Sequence, residues 1–243
     1  MKLVIWNCSQ GLHRKALKLL ELTPDIAIVP KAARQARTLV SKATGSVWVG
    51  EEKNKGLGVY AFNGYKLELH PSYDKQLQWV APIIVTGPTR YLLFAVWAMN
   101  HWATDFHPDQ RKRGQVETAL EVYDPLIKSS GLPLVVAGDF NSCLTWDKRE
   151  KHSRHANAHR ALEARGLRSV YHTVRGEAQG HEIEPTIYWR DRSKTGPQYQ
   201  IDFCYVPESW FTPSPSVVVG AFSPWVEENW SDHVPLIVDI PGN

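Results

Sequence analysis

Short apolar runs along this chain alternate with segments in which apolar residues recur at helical spacing. A strand at residues 3–6 precedes a helical segment at residues 13–22, and a strand at residues 26–29 precedes a helical segment at residues 32–40. Thr23-Pro24-Asp25 is typical of a turn and ends the first helical segment. Strand followed by helix, twice in succession, indicates an α/β protein.

The middle of the chain predicts successive strands with no helix between them. The turn pairs Asn63-Gly64 and Gly87-Pro88 separate apolar runs of strand length. Strands are expected at residues 47–49, 57–62, 65–69, 79–85 and 92–96.

The second half of the chain repeats this mixture. Its longest helical pattern covers residues 109–128, and a second covers residues 155–165. Strands are expected at residues 134–137, 199–206, 217–220 and 236–240. Two halves, each with a sheet and helices, pack well as an α/β sandwich with the helices outside. No repeat or linker divides the chain, so we expect a single domain over residues 1–243.

Three polar clusters lie at the ends of apolar strands, where side chains project from a rigid scaffold. Asn7 follows the first strand, Gly-Asp-Phe-Asn places Asp139 and Asn141 after a buried strand, and Asp232-His233 precedes the last strand. A carboxylate can activate water, an amide can bind an oxyanion, and an imidazole can transfer a proton near neutral pH. Each cluster alone is also compatible with an ordinary turn.

In this order the clusters resemble the endonuclease/exonuclease/phosphatase superfamily, which includes pancreatic DNase, exonuclease III and abasic-site endonucleases. The resemblance rests on Trp-Asn near the N-terminus, Gly-Asp-Phe-Asn in mid-chain and Ser-Asp-His-x-Pro-Leu near the C-terminus. It implies a four-layer α/β sandwich of the DNase-like type, in which two packed mixed β-sheets are flanked by helices. It also implies Mg²⁺-dependent hydrolysis of a phosphodiester, with Mn²⁺ as a substitute and DNA as the favoured substrate.

The resemblance assigns roles to residues of this chain. Asn7 and Asp232 would lie at the metal site, Asp139 would activate the attacking water, and Asn141 would hold a phosphate oxygen. His233 would contact the scissile phosphate, and Asp202 would pair with this histidine.

Four further residues are candidates for substrate contacts. Abasic-site enzymes carry a Tyr and an Asn three residues apart, and Trp97 and Asn100 keep that spacing but replace the Tyr. An indole offers one N–H and no phenolate. His101 is a candidate phosphate contact, and Trp189 is a candidate for stacking on a base, although core packing would explain it equally well.

Two positions depart from the family pattern in charge. Lys31 stands where the family has a metal-binding Glu, and Ser9 stands where several of its nucleases carry another carboxylate. The chain could be an inactive variant of an active enzyme, a natural pseudoenzyme that retains the cleft, or a protein in which Lys31 replaces the metal. The other motifs are intact, which favours the first interpretation. If the chain were aligned differently with the family pattern, Glu51 or Glu52 would supply the metal ligand. Both residues follow a different strand, however, which disfavours this alignment.

Composition narrows the function only slightly. The net charge of +3 permits a phosphate-bearing substrate without requiring one. The three cysteines include no CxxC pair, so we expect no zinc site but reduced thiols, with Cys8 and Cys204 buried. The chain has no leader-like start and no 18-residue apolar run. We therefore expect a cytoplasmic protein with no membrane partner and no obligate protein partner.

A phosphatase for small substrates and a phosphate- or nucleic-acid-binding pseudoenzyme are the alternatives to a DNA nuclease.

Overall fold

Two six-stranded mixed sheets form the centre of the computed structural model, which describes residues 1–99, 113–190 and 192–242. Across the first sheet the strands are β13 (Ser216–Val219), β14 (Leu236–Asp239), β1 (Lys2–Ile5), β2 (Ile26–Ala32), β4 (Lys55–Ala61) and β3 (Gly45–Glu52). The central pair β1 and β2 is parallel, and the other neighbours are antiparallel.

The second sheet has the same character. Its strands are, in order, β5 (Lys66–Leu69), β6 (Val80–Thr86), β7 (Tyr91–Trp97), β8 (Leu134–Asp139), β12 (Asp202–Pro207) and β9 (Leu167–Ser169). Again one central pair, β7 with β8, is parallel and the others are antiparallel. A separate two-stranded hairpin consists of β10 (Ile187–Tyr188) and β11 (Gln198–Tyr199).

Helices connect and cover these strands. They are α1 (Leu12–Leu20), α2 (Arg37–Lys42), α3 (Gln115–Val122), α4 (Asp124–Ser130), α5 (Leu144–Glu150), α6 (Arg154–Glu163), α7 (Val170–Arg175) and α8 (Phe222–Trp225). Two short 3-10 turns lie at Lys75–Leu77 and Glu208–Phe211.

The core lies between the sheets and on their outer faces. In β7, Leu93 and Ala95 belong to the cluster between the sheets, whereas Leu92 and Phe94 belong to the cluster under α3 and α6. Alternation of this kind buries both faces of the strand, which explains its unbroken apolar sequence. On the first sheet, Leu12, Ala16 and Leu19 of α1 pack in the outer cluster. The predicted four-layer sandwich is confirmed.

Several predicted boundaries are wrong. In the described part of the segment at residues 109–128, two helices replace one. Pro125 lies in the first turn of α4, and because proline has no N–H it cannot continue the hydrogen bonds of α3. The helix expected at residues 32–40 starts only at Arg37, since β2 extends to Ala32. The short helices α5 and α7 carry too few turns to show a clear apolar period and were not predicted.

The strand expected at residues 199–206 is divided in two. The backbone N–H groups of Ile201 and Asp202 both donate to Thr186 Oγ1, at 3.0 and 3.1 Å. These bonds satisfy the two backbone donors at the gap between β11 and β12, and β12 begins at Asp202.

All three cysteines are unpaired and buried, which confirms the expectation for Cys8 and Cys204. Burial raises the pKa of Cys8 to about 11 and that of Cys143 and Cys204 to about 12. These thiols are therefore poor nucleophiles near neutral pH. In the described ranges, none of the helices has both the length and the apolarity needed to cross a bilayer.

Gly138 is the position in β8 where a side chain cannot fit. Its φ is +145°, and an added Cβ would lie 2.0 Å from the carbonyl oxygen of Val96, its partner in β7. We expect Gly138→Ala to lower the free energy of unfolding by more than about 3 kcal/mol, because strained backbone and overlap act together. Urea denaturation measures this loss.

Gly131→Ala is the matched control, because Gly131 also has a positive φ, of +61°, but an added Cβ meets nothing within 4 Å. Its loss should be about 1 kcal/mol. Equal losses for the two variants would show that the close approach of β7 and β8 does not limit position 138.

Candidate active site

Strand ends from both sheets converge on one group of polar side chains. Asn7 follows β1 of the first sheet, Asp139 ends β8 of the second sheet, and Asp202 begins β12. Asp202 lies opposite Asp139 in the antiparallel register. His233 precedes β14 and forms an isolated antiparallel bridge with Ile187 of the hairpin strand β10. The predicted clusters, far apart in sequence, therefore meet in space.

Asp139 is held on both of its oxygens. Asn7 Nδ2 donates to Oδ2 at 2.8 Å, and the backbone N–H of Asn141 donates to Oδ1 at 2.9 Å. Asn7 Oδ1 in turn accepts the backbone N–H of Ser9 at 3.1 Å. Asp139 and Asn7 are completely buried. The orientation of this carboxylate is therefore fixed before any ligand arrives.

A second pair is formed by His233 and Asp202. His233 Nδ1 and Asp202 Oδ2 are 2.8 Å apart, and both side chains are almost completely buried. This bond fixes the ring so that Nε2 is left for another partner. The other oxygen of Asp202 is buried and has no hydrogen-bond partner among the described residues.

Two residues that were not assigned roles from the sequence hold this pair in place. Ser231 Oγ donates to the carbonyl of Asn7 at 2.6 Å and accepts the N–H of His233 at 3.1 Å. Thr186 Oγ1 fixes the backbone of Asp202, while its carbonyl accepts the N–H of Val234 at 3.0 Å. Ser231 stands inside the Ser-Asp-His motif and Thr186 stands outside the three motifs, and the roles of both depend on tertiary contacts.

The buried charges adjust one another's protonation. Burial raises the pKa of Asp139 to about 6, the Asp202 charge adds to this rise, and the charges of His233 and Lys31 oppose it. Burial alone would lower the pKa of His233, but the charge and hydrogen bond of Asp202 raise it above its ordinary value. Asp139 is therefore a base suited to neutral pH, and His233 favours its charged form.

Asp232 stands beside cations. Burial acts to raise its pKa, but the charges of His233, Lys31 and Arg192 lower it below the ordinary value. Asp232 is half-buried, as is Lys31, so both are more accessible than the buried pairs. The ammonium of Lys31 thus acts on the Asp139 and Asp232 carboxylates, as expected for the position of the family Glu.

The backbone at Lys31 is unusual. Its φ is +57°, and the register between β2 and β4 shifts between Val29 and Ala32. A non-glycine residue in this left-handed region costs about 1 kcal/mol or more. The bulge lies next to the end of β1, since the N–H of Cys8 donates to the carbonyl of Pro30 at 3.2 Å.

These residues do not fit the divalent-metal site that the resemblance implies. Two carboxylate positions are lost, to Lys31 and Ser9, and the remaining Asp232 is half-buried beside two cationic side chains. Magnesium requires oxygen ligands, and an ammonium group offers only N–H donors and a positive charge.

A different group of ligand atoms is close enough to share an ion. Atoms of Asp139, Asp202 and His233 lie within 4.8 Å of one another. The histidine is already bonded to Asp202, however, and both oxygens of Asp139 accept N–H groups. We therefore interpret this group as two neighbouring hydrogen-bonded pairs, Asn7 with Asp139 and Asp202 with His233. Glu51 and Glu52 are exposed at the end of β3 and are not part of this group.

The remaining candidates lie around this centre or outside the described residues. Asn141 is half-buried with a φ of +48°. Trp97 ends β7 opposite Asp139, and its indole N–H is buried without a hydrogen-bond partner in the described ranges. Trp189 contacts Trp146 at 5.7 Å between ring centroids, and Arg190 lies 4.4 Å over its ring. Asn100 and His101 lie outside the described residues.

Solved structures share this fold at low sequence identity. A 3'-5' exonuclease from Neisseria meningitidis is 20% identical, covers 99% of both chains and has a TM-score of 0.69. An AP endonuclease from Archaeoglobus fulgidus is 17% identical, with 99% coverage of both chains and a TM-score of 0.71. A 3' phosphatase from Neisseria, bound to a product DNA hairpin, is 19% identical, with 99% coverage of both chains and a TM-score of 0.67.

No curated protein matches the sequence of this chain. The sequence model of the Endonuclease/Exonuclease/phosphatase family matches residues 42–233, most of the chain, including Asp139, Asp202 and His233. The chain therefore belongs to the Endonuclease/Exonuclease/phosphatase family, a superfamily of metal-dependent nucleases and phosphodiesterases.

Proposed function

We propose that this chain binds and hydrolyses a phosphodiester of DNA, at a rate that Lys31 lowers. The observation that carries the proposal is the meeting of two buried pairs, Asn7 with Asp139 and Asp202 with His233. One pair supplies a base and the other a cationic hydrogen-bond donor, and hydrolysis of a phosphate ester requires both functions.

The roles follow from the protonation of the two groups. Asp139 accepts a proton from a water molecule as the oxygen of that water bonds to phosphorus. The P–O bond to the leaving group breaks, and the leaving oxygen departs with the electron pair and takes up a proton from solvent. Charged His233 donates from Nε2 to a phosphate oxygen and stabilises the negative charge that develops there, while Asp202 keeps the ring in that orientation. Asn7 positions Asp139 through its amide.

A nucleic-acid substrate is supported by aromatic and cationic side chains on the hairpin next to the site. Tyr188 in β10 donates its N–H to the carbonyl of Asp232 at 2.9 Å. The next residue, Trp189, lies under Arg190, and Arg149 also lies over its ring, at 5.9 Å. Trp189 is half-buried, and both arginines are exposed. A partly accessible ring beside exposed guanidinium groups suits stacked bases and phosphates. The Neisseria 3' phosphatase was also solved with DNA.

A phosphate-binding pseudoenzyme is the second candidate function, and Lys31 is the observation that favours it. Two like charges about 5 Å apart at an effective dielectric constant of about 20 repel by roughly 3 kcal/mol. A divalent ion next to this ammonium would therefore bind at least about 100-fold more weakly than next to a neutral group.

Lys31→Glu tests the proposed function. We expect the variant to cut DNA in the presence of Mg²⁺ at least about 100-fold faster than the native chain, because the repulsion becomes an attraction. Cleavage of labelled single- and double-stranded DNA by both proteins gives the comparison. Asp139→Asn in the Lys31→Glu chain should abolish the gain.

Two controls accompany this comparison. Lys31→Met removes the charge without adding a ligand, and Lys42→Glu makes the same charge change at an exposed position of α2. If the native chain cleaved DNA as fast as Lys31→Glu, this would contradict the assignment of Lys31 to the position of the family's metal-binding Glu. No cleavage by either would exclude a DNA nuclease, and a 3'-phosphorylated oligonucleotide and small phosphate esters would then be the substrates to test.

The raised pKa of Asp139 predicts how stability depends on pH. Its pKa of about 6 in the folded chain exceeds the ordinary value of 3.8, so the folded chain holds this proton more tightly than the unfolded chain. The resulting stabilisation is complete below the ordinary pKa and is lost as the pH rises through about 6. The difference in unfolding free energy, native minus Asp139→Asn, should fall by about 1–3 kcal/mol between about pH 4 and about pH 7.

Urea denaturation of both proteins across this range measures the difference. The comparison with Asp139→Asn removes the contribution of carboxylates elsewhere in the chain. A difference that stays constant, or that grows with pH, would show that burial does not raise the pKa of Asp139.

A further inference from the structure

Three basic side chains surround the place that the resemblance assigns to a metal. Lys31 lies in the bulge at the end of β2 and acts on Asp139 and Asp232. Lys15 Nζ donates to the carbonyl of Cys8, the residue next to Asn7. Arg192 is half-buried, and its charge is close enough to act on both Lys15 and Asp232. Lys15 is thus bonded beside Asn7, and the charges of Lys31 and Arg192 both act on Asp232.

The backbone holds two of these lysines to one residue. Cys8 donates its N–H to the carbonyl of Pro30 at 3.2 Å, and its Sγ lies 3.5 Å from the carbonyl oxygen of Lys31. Its own carbonyl accepts Lys15 Nζ. The segment that follows β1 therefore places Lys15 and Lys31 next to Asn7 by direct contacts.

The balance of charge in this region favours an anion. Asp202 and charged His233 neutralise each other through their hydrogen bond. Lys15, Lys31 and Arg192 then face two carboxylates, Asp139 and Asp232. A Glu at position 31 would leave two cations facing three carboxylates and would require a bound cation. With lysine at position 31 the net charge of these side chains is positive instead of negative, so a bound anion would neutralise it.

We propose that the site binds a phosphate group without a divalent ion, and that the Lys31 ammonium provides the positive charge there. Lysine binds phosphate as a point charge with three N–H donors, and His233 Nε2 supplies a further donor. In deepening the proposed function, this inference rests on the phosphate ester as the substrate class. It separates binding from hydrolysis: the native chain captures its phosphate in the absence of metal.

The test measures binding by two probes. One is the fluorescence anisotropy of a labelled single-stranded DNA, titrated with protein at constant ionic strength, first with excess EDTA and then with Mg²⁺. The other is inorganic phosphate, observed by ³¹P NMR in EDTA. Binding of Mn²⁺ by native and Lys31→Glu chains, followed by electron paramagnetic resonance, reports on the metal directly.

We expect the native chain to bind DNA as tightly in EDTA as in Mg²⁺, to bind phosphate in EDTA and to leave Mn²⁺ free. Lys31→Met should weaken both DNA and phosphate binding by about 10-fold or more, the size of one lost charged contact. Lys31→Arg should retain most of the affinity, and Lys42→Met, at the exposed end of α2, should change neither. Lys31→Glu should gain Mn²⁺ binding and lose phosphate binding in EDTA.

Three results would overturn the inference. They are binding of Mn²⁺ by the native chain, absence of phosphate binding by the native chain in EDTA, and unchanged affinities for DNA and phosphate in Lys31→Met. Phosphate binding that depends on Lys31, without DNA binding, would uphold the metal-free phosphate site while refuting DNA as the ligand. Circular dichroism and thermal unfolding of each variant show that it is folded, so that a loss of binding can be assigned to the side chain.

Discussion

The hydrogen bond from Asn7 to Asp139 joins the two sheets at their polar edge. Asn7 follows β1 in the first sheet and Asp139 ends β8 in the second, and both side chains are buried where their sheets meet. A buried carboxylate without partners would be strongly unfavourable, so its donors must be supplied by the fold itself. The hydrogen bond can form in only one relative placement of the two sheets, and that placement determines the position of the candidate active site.

The neighbouring strands meet the same demand. Gly138 lets β7 approach β8 closely, which brings Asp139 level with Trp97 and opposite Asp202. Ser231 and Thr186 then use side-chain oxygens to satisfy backbone groups around His233 and Asp202. Because so many donors and acceptors are used within the site, its side chains have little freedom to reorient. Such preorganisation suits a site in which charge develops during reaction.

The sequence was sufficient to predict the architecture and most of the centre. The alternation of apolar runs predicted most of the strands. The resemblance that the polar clusters support selected Asn7, Asp139, Asp202 and His233, and the structure brings these side chains together. The broken helix at Tyr123 was missed, although Pro125 was a visible signal for it. No local signal marked Lys15 or Arg192, because their relation to Asp232 arises only when distant segments pack together.

Lys31 shows why the fold and the chemistry of the site can vary independently. Its side chain is half-buried at the end of β2, outside the apolar clusters that hold the sheets and helices together. We therefore expect the packing of the sandwich to accept either charge there, whereas an ammonium in place of a carboxylate reverses the sign of the charge beside Asp139 and Asp232. Likeness of fold to nucleases therefore shows the arrangement of the sheets, and in our proposal the charge at this single position determines whether a cation or an anion completes the site.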